Sequence, residues 1–148
     1  MGSILESYQA ARRLANRSFL LSEFLVNEAG WQPPGRVEGK ALVHLHCHQH
    51  ALLGAKSEQA LLDRLGLASH FLDGGCCGMA GSFGFEREHY PLSLAVGERV
   101  LLPAVRAAAA DTLIVANGYS CREQIAQATG LRALHVAELA ARSLAHRG

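Results

Sequence analysis

Four cysteines and eight histidines are the residues of this chain best suited to chemistry. Cys47, Cys76, Cys77 and Cys121 offer thiolates, which ligate iron–sulfur clusters and zinc. In a reducing compartment such a set serves as ligands or redox groups more often than as structural disulfides. The adjacent pair Cys76-Cys77 is poorly placed to bridge to itself, because the backbone would have to distort. Gly74, Gly75 and Gly78 around the pair free the backbone to turn both thiols toward one point. The count fits a four-thiolate cubane and a zinc site alike, although the spacing lacks the paired Cys-x-x-Cys knuckles of a zinc ribbon. A third reading treats the four thiols as small buried hydrophobes, and it leaves the glycines unexplained.

The histidines divide. His44, His46, His48 and His50 alternate, so on an extended strand they would share one face. That row is either a metal-binding face beside Cys47 or a strand end and polar loop, with His44 hydrogen-bonded under a helix. His89, His135 and His146 read as ordinary surface or packed residues.

The elements that must position these groups follow from patterning. Residues 4–26 read as one amphipathic helix packed on the outside, with Leu5, Tyr8, Ala11, Ala15, Leu21 and Leu25 at helical spacing. Residues 27–40 form a loop with Gly30, Pro33, Pro34 and Gly35. From Ala41 the pattern changes. Apolar runs at 41–45, 69–72, 112–116 and 131–136 predict four short strands. Helices are expected at 57–66, 86–110, 120–128 and 137–146, with Ser57 as cap, Pro91 and Pro103 marking breaks or first turns, and Gly130 as a stop. Strand and helix alternate, which predicts an α/β fold: a parallel sheet of about four strands flanked by helices, with an extra N-terminal helix. Residues 1–40 form the helix and loop, and residues 41–148 the sheet domain. In open parallel sheets, sites form beyond the carboxyl ends of strands. His46-Cys47-His48, Gly75-Cys76-Cys77-Gly78 and Tyr119-Ser120-Cys121 all fall there, so three distant loops should meet at one sheet edge.

Composition removes other classes. The 148 residues suit one domain, and 14 Lys+Arg against 13 Asp+Glu give a net charge of +1, which argues against a non-specific nucleic-acid binder. No run approaches the ~20 apolar residues of a membrane span. No basic-then-apolar leader opens the chain, so a cytoplasmic protein, or the soluble face of a larger complex, is expected. Met1-Gly2-Ser3 reads as a cloning remnant, and the chain as a piece of something longer. The Gly-rich run Gly78-Met79-Ala80-Gly81-Ser82-Phe83-Gly84 has Ala80 and Phe83 where a dinucleotide fingerprint needs glycine, and it has no P-loop lysine. Ser82 and Ser120 read as turn and cap residues, and Glu86, Arg87, Glu88 and Glu98 as a solvated charged face.

The segments Asp73-Gly74-Gly75-Cys76-Cys77-Gly78-Met79-Ala80-Gly81-Ser82-Phe83-Gly84 and Ala116-Asn117-Gly118-Tyr119-Ser120-Cys121-Arg122-Glu123-Gln124-Ile125, with Cys47 upstream, resemble the cysteine-rich "CCG" domain of iron–sulfur oxidoreductases. The likeness covers about residues 41–141. It is strongest to the C-terminal part of FAD-linked D-2-hydroxyacid dehydrogenases of the D-lactate, D-2-hydroxyglutarate and glycolate oxidase type. The resemblance implies that Cys47, Cys76, Cys77 and Cys121 ligate an iron–sulfur cluster, with His46 and His48 as neighbours that tune or orient it. It implies an electron-transfer role beside a flavin-containing domain or subunit, FAD lying outside this chain; the alternatives are a zinc-binding or thiol-redox module, or a docking domain without a cluster. Peripheral association with the inner face of the membrane would come through such a complex. The family pattern ends Cys-x-x-Cys, and here Gln124 takes the last position. That departure favours a four-thiolate [4Fe–4S] site, or a site that loses its cluster easily.

Overall fold

A computed structural model describes residues 4–145. Met1-Gly2-Ser3 and His146 lie outside the described residues. Three parallel strands form the sheet: β1 (Gly39–His44), β2 (Leu67–Phe71) and β3 (Thr112–Ala116), in the order β2-β1-β3. The central strand reads as a continuous apolar run because it is covered on both faces. Its last four residues, Ala41 to His44, are all buried. Register places Val43 opposite Phe71 on one side and His44 opposite Ala116 on the other.

Alternation along the strands divides the core into two layers. Ala41, Val43 and Val115 face one way and pack with Leu61, Leu62, Leu65, Leu134, Val136 and Leu139. Leu42, Ile114 and Ala116 face the other and pack with Met79, Leu101, Leu102, Val105, Ile125, Cys77 and Cys121. Two cysteines thus belong to the core layer of one sheet face.

The helices are α1 (Ile4–Ala15), α2 (Leu21–Glu23, running into a π-helical turn Phe24–Glu28), α3 (Cys47–Leu52) and α4 (Lys56–Arg64). After β2 come α5 (Tyr90–Gly97) and α6 (Leu101–Ala107), and after β3 come α7 (Tyr119–Thr129) and α8 (Val136–Ala145). No helix among the described residues is long and apolar enough to cross a membrane.

Several expectations are corrected. The predicted helix over 4–26 breaks after Ala15: Leu20 is extended, and its N–H donates to Glu23 Oε2 at 2.9 Å, which starts a separate short helix. Far from packing on the outside of the sheet, α1 leaves its side chains from Glu6 to Ala15 exposed. The cap of α4 is Ala55, not Ser57. The helix over 86–110 divides because Val100 is non-helical (φ −142, ψ −57). Pro91 and Pro103 then both fall in first turns, where a missing N–H costs nothing. A fourth strand is not formed among the described residues. Residues 131–136 contribute one bridge, Val115 to Leu134. Gly130, left-handed at φ 71, closes α7, and α8 begins at Val136, and the segment between them pairs with β3 at Leu134 alone. The histidine row also fails, since β1 ends at His44 and α3 starts at Cys47. His44, His46, His48 and His50 therefore do not share a face.

Candidate functional site

All three cysteine segments lie beyond the carboxyl ends of the strands, as the alternating pattern requires. Cys47 opens α3, three residues past β1. The helix is capped by His46, whose Nδ1 accepts from the His48 N–H at 3.4 Å. Cys121 sits in the first turn of α7, five residues past β3, and is fully buried. Cys76 and Cys77 lie in the glycine turn after β2. Gly74, Gly75 and Gly78 there take φ of 77, 86 and 91, a region that side-chain-bearing residues avoid. At Gly78 the need is absolute: a Cβ would stand 1.9 Å from the Ser93 carbonyl oxygen of α5. The turn is pressed so closely onto α5 that Cys77, Gly78 and Met79 are buried, while Cys76 is half-buried and Cys47 exposed. Cys76 Sγ accepts from the Gly78 N–H at 3.3 Å.

Cys77 and Cys121 share one core layer, Cys47 and Cys76 line one cavity, and the thiols act on one another's proton affinity. Cys77 is held down to about 6, first by hydrogen bonding with Cys121 and then, against the effect of burial, by the backbone at Met79 and Ala80 and by Cys76. Cys121 is pushed up, first by its bond to Cys77 and then by burial and by the charges of Cys77, Cys47 and Cys76. In this pair Cys121 keeps the proton and Cys77 gives one up. Burial and the neighbouring Cys76 raise Cys47 to about 11. A positively charged metal would reverse the mutual repulsion and stabilise all four thiolates. Among the described residues no three His, Cys, Asp or Glu side chains gather closely enough to hold a metal ion.

Around the thiols the histidines take distinct places. Gly118, which precedes α7, lets two groups approach: a Cβ there would lie 2.7 Å from His46 Cδ2 and 3.0 Å from Cys121 Sγ. His46 thus reaches the Cys121 segment. His48 is exposed, with its ring 5.5 Å from that of His46. His44 is 3% exposed. Burial, helped by His46 and His50, lowers it to about 4, so it is a neutral imidazole. Its Nε2 has no hydrogen-bond partner among the described residues. His44, His50, Cys47 and Cys76 line a cavity of about 210 Å³ with Gly74 and Gly75.

Sequence reasoning misses the polar groups that hold the loops together. Glu58 of α4 is 1% exposed. Its Oε1 accepts from Asn117 Nδ2 at 2.9 Å and its Oε2 from Gln49 Nε2 at 3.4 Å. Asn117 Oδ1 in turn accepts from the Val136 N–H at 3.0 Å, at the start of α8. One buried carboxylate therefore ties the helix carrying Cys47 to the loop before Cys121. Gln124 is also buried, and its Nε2 donates to Ser93 O at 3.2 Å and Ser93 Oγ at 3.3 Å. It joins α7 to the residue of α5 that touches Gly78. The only local signal is a polar residue on a helix face otherwise suited to the core.

Fold and site together define a cysteine-bearing parallel α/β module. Over 107 residues, 72% of this chain, it is 36% identical to a subunit of the anaerobic glycerol-3-phosphate dehydrogenase of Escherichia coli (strain K12). It is 32% identical over 119 residues, 78% of this chain, to D-2-hydroxyglutarate dehydrogenase of the same organism. With lactate utilization protein A of Bacillus subtilis (strain 168) it shares 31% identity over 139 residues, 87% of this chain. The matched regions are 26%, 12% and 57% of those proteins, so the chain spans only part of each. No family model and no solved structure matches the chain. The relatives bear out the resemblance carried by the cysteine motifs: the chain belongs to the cysteine-rich domain family of hydroxyacid and glycerol-3-phosphate dehydrogenase proteins.

Proposed function

We propose that this chain is the electron-transfer module of a larger FAD-linked 2-hydroxyacid oxidoreductase, with residues 41–148 as its iron–sulfur domain. Cys47, Cys76, Cys77 and Cys121 are its cluster ligands, and [4Fe–4S] is the cluster type. The observation that carries this reading is the placement of four cysteines from three loops at one sheet edge, Cys47 and Cys76 lining one cavity and Cys77 and Cys121 sharing one core layer. When bound, the cluster accepts and releases single electrons. The chain's own residues do the rest. Cys77 supplies a thiolate near neutral pH, and the turn at Gly78 seats it in the core. His46 caps α3 beside the site, where it orients Cys47, and His48 lies at its exposed rim.

The partner is a flavin-containing domain or protein, in keeping with relatives named as a dehydrogenase or as part of one. Cys47 is the exposed thiol and marks the side facing that partner. The module works in the cytoplasm, at the inner face of the membrane when its complex docks there. A second reading, a thiol-redox module, is favoured by one observation, the hydrogen-bonded Cys77–Cys121 pair. Anaerobic reconstitution with iron and sulfide separates the two. The electron-transfer reading expects a brown protein with broad visible charge-transfer absorbance and a paramagnetic signal after one-electron reduction. A colourless product whose Cys77 and Cys121 cycle between dithiol and disulfide would overturn it.

A further inference from the structure

We infer that His44 donates a hydrogen bond from Nε2–H to a sulfur of the cluster site and thereby raises its reduction potential. The inference rests on the iron–sulfur reading above and assigns a role to a residue outside the cysteine motifs.

Three observations carry it. His44 is 3% exposed and its Nε2 has no hydrogen-bond partner among the described residues. Folded proteins seldom leave such a group orphaned, since it forfeits about 1–3 kcal/mol, so its partner is something the polypeptide does not itself supply. His44 ends β1 and lies, by alternation, on the same sheet face as Leu42, the face packed by Cys77 and Cys121. It also lines the cavity of about 210 Å³ whose other walls include Cys47, Cys76 and the Gly74-Gly75 turn. Among the described residues no carboxylate lines that space, so the acceptor must come with whatever the thiols hold. A neutral imidazole has one N–H to give. Donated to sulfur, it favours the reduced state, which carries one more negative charge, and hydrogen bonds to the sulfurs are among the terms that set such potentials. His46 cannot do this by its Nδ1, because that nitrogen is occupied in capping α3.

The test is a redox titration, followed by electron paramagnetic resonance, of the full chain reconstituted anaerobically. His44→Leu is expected to lower the one-electron reduction equilibrium by about tenfold, a shift of ~59 mV. His44→Gln, which keeps an N–H at similar reach, should recover most of that shift. In wild-type protein labelled with ¹⁵N-histidine, the reduced cluster should show a nitrogen coupling that His44→Gln removes, a readout that does not depend on the leucine variant folding. Wild-type potentials in both variants, or no histidine coupling to lose, would overturn the inference while leaving the cluster intact. Loss of the cluster from folded His44→Gln protein would overturn it too, by making His44 a ligand. A wild-type chain that forms no cluster sinks the electron-transfer reading and this inference together.

Discussion

Replacing Gly78 by alanine tests how the cysteine turn is held. The new Cβ would stand 1.9 Å from Ser93 O and 2.8 Å from the Ser93 carbonyl carbon, so turn and helix must part by about 1.5 Å to regain ordinary contact. Ser93 cannot yield alone, because its carbonyl and hydroxyl are held by Gln124 and its side chain lies against Met79. The backbone at φ 91 adds strain of about 1–2 kcal/mol, and overpacking a tight interior adds about 1–3 kcal/mol. The expected loss is about 4 kcal/mol, which for a domain of this size lowers Tm by about 10 °C. Gly74→Ala is the control. Its φ is 77 but nothing lies within 4 Å of the added Cβ, so only the strain applies and Tm should fall by about 4 °C. Thermal unfolding of the metal-free chain, followed by circular dichroism, reads both. If Gly78→Ala falls no further than Gly74→Ala, the close packing of the turn on α5 is wrong.

Other expectations follow from the same structure. Glu58→Ala leaves the amide donors of Asn117 and Gln49 without an acceptor, which should cost about 3 kcal/mol in a urea titration, while Glu58→Gln should cost distinctly less. The metal-free chain should lose stability as pH falls from about 6.5 toward 4. His44 titrates at about 4 when folded and near 6.5 when unfolded, so the unfolded state binds the extra proton. That contribution is complete above pH 6.5, declines across the window and levels off below 4, amounting to about 3 kcal/mol. His44→Leu should flatten that part of the stability–pH curve, and an unchanged slope would reject the burial argument. Gln124→Cys should bind no additional iron, because position 124 points into the contact with Ser93; a rise in iron per chain would show that it faces the cluster site.

The placement of the cysteines is more legible in the sequence than the elements around them. Cysteines placed after apolar runs identify loops at a sheet edge, because parallel strands bring their carboxyl ends together whatever the detailed boundaries. β3 is plain for the same reason, being a buried run bounded by polar residues. The errors arise where a short-range pattern meets a tertiary constraint. The alternating histidines fit a strand, yet the His46 cap turns the chain into α3 at Cys47. Leu131 to Val136 has strand composition, but between the left-handed Gly130 and the start of α8 it makes a single bridge to β3. Glu58 escapes a sequence reading because its partner Asn117 is 59 residues away, beyond any local signal. Gln124 stands out in the sequence only as a missing cysteine, whereas it is a buried strut between α7 and α5.

The central claim is that Cys47, Cys76, Cys77 and Cys121 hold one cluster. Iron and acid-labile sulfide counted per chain after anaerobic reconstitution, in the wild type and in each of the four Cys→Ala variants, test it most directly. About four of each in the wild type, with a marked loss in every variant whose fold is intact by circular dichroism, is the expected result. Negligible iron in the wild type, or full loading in any one variant, would contradict the assignment.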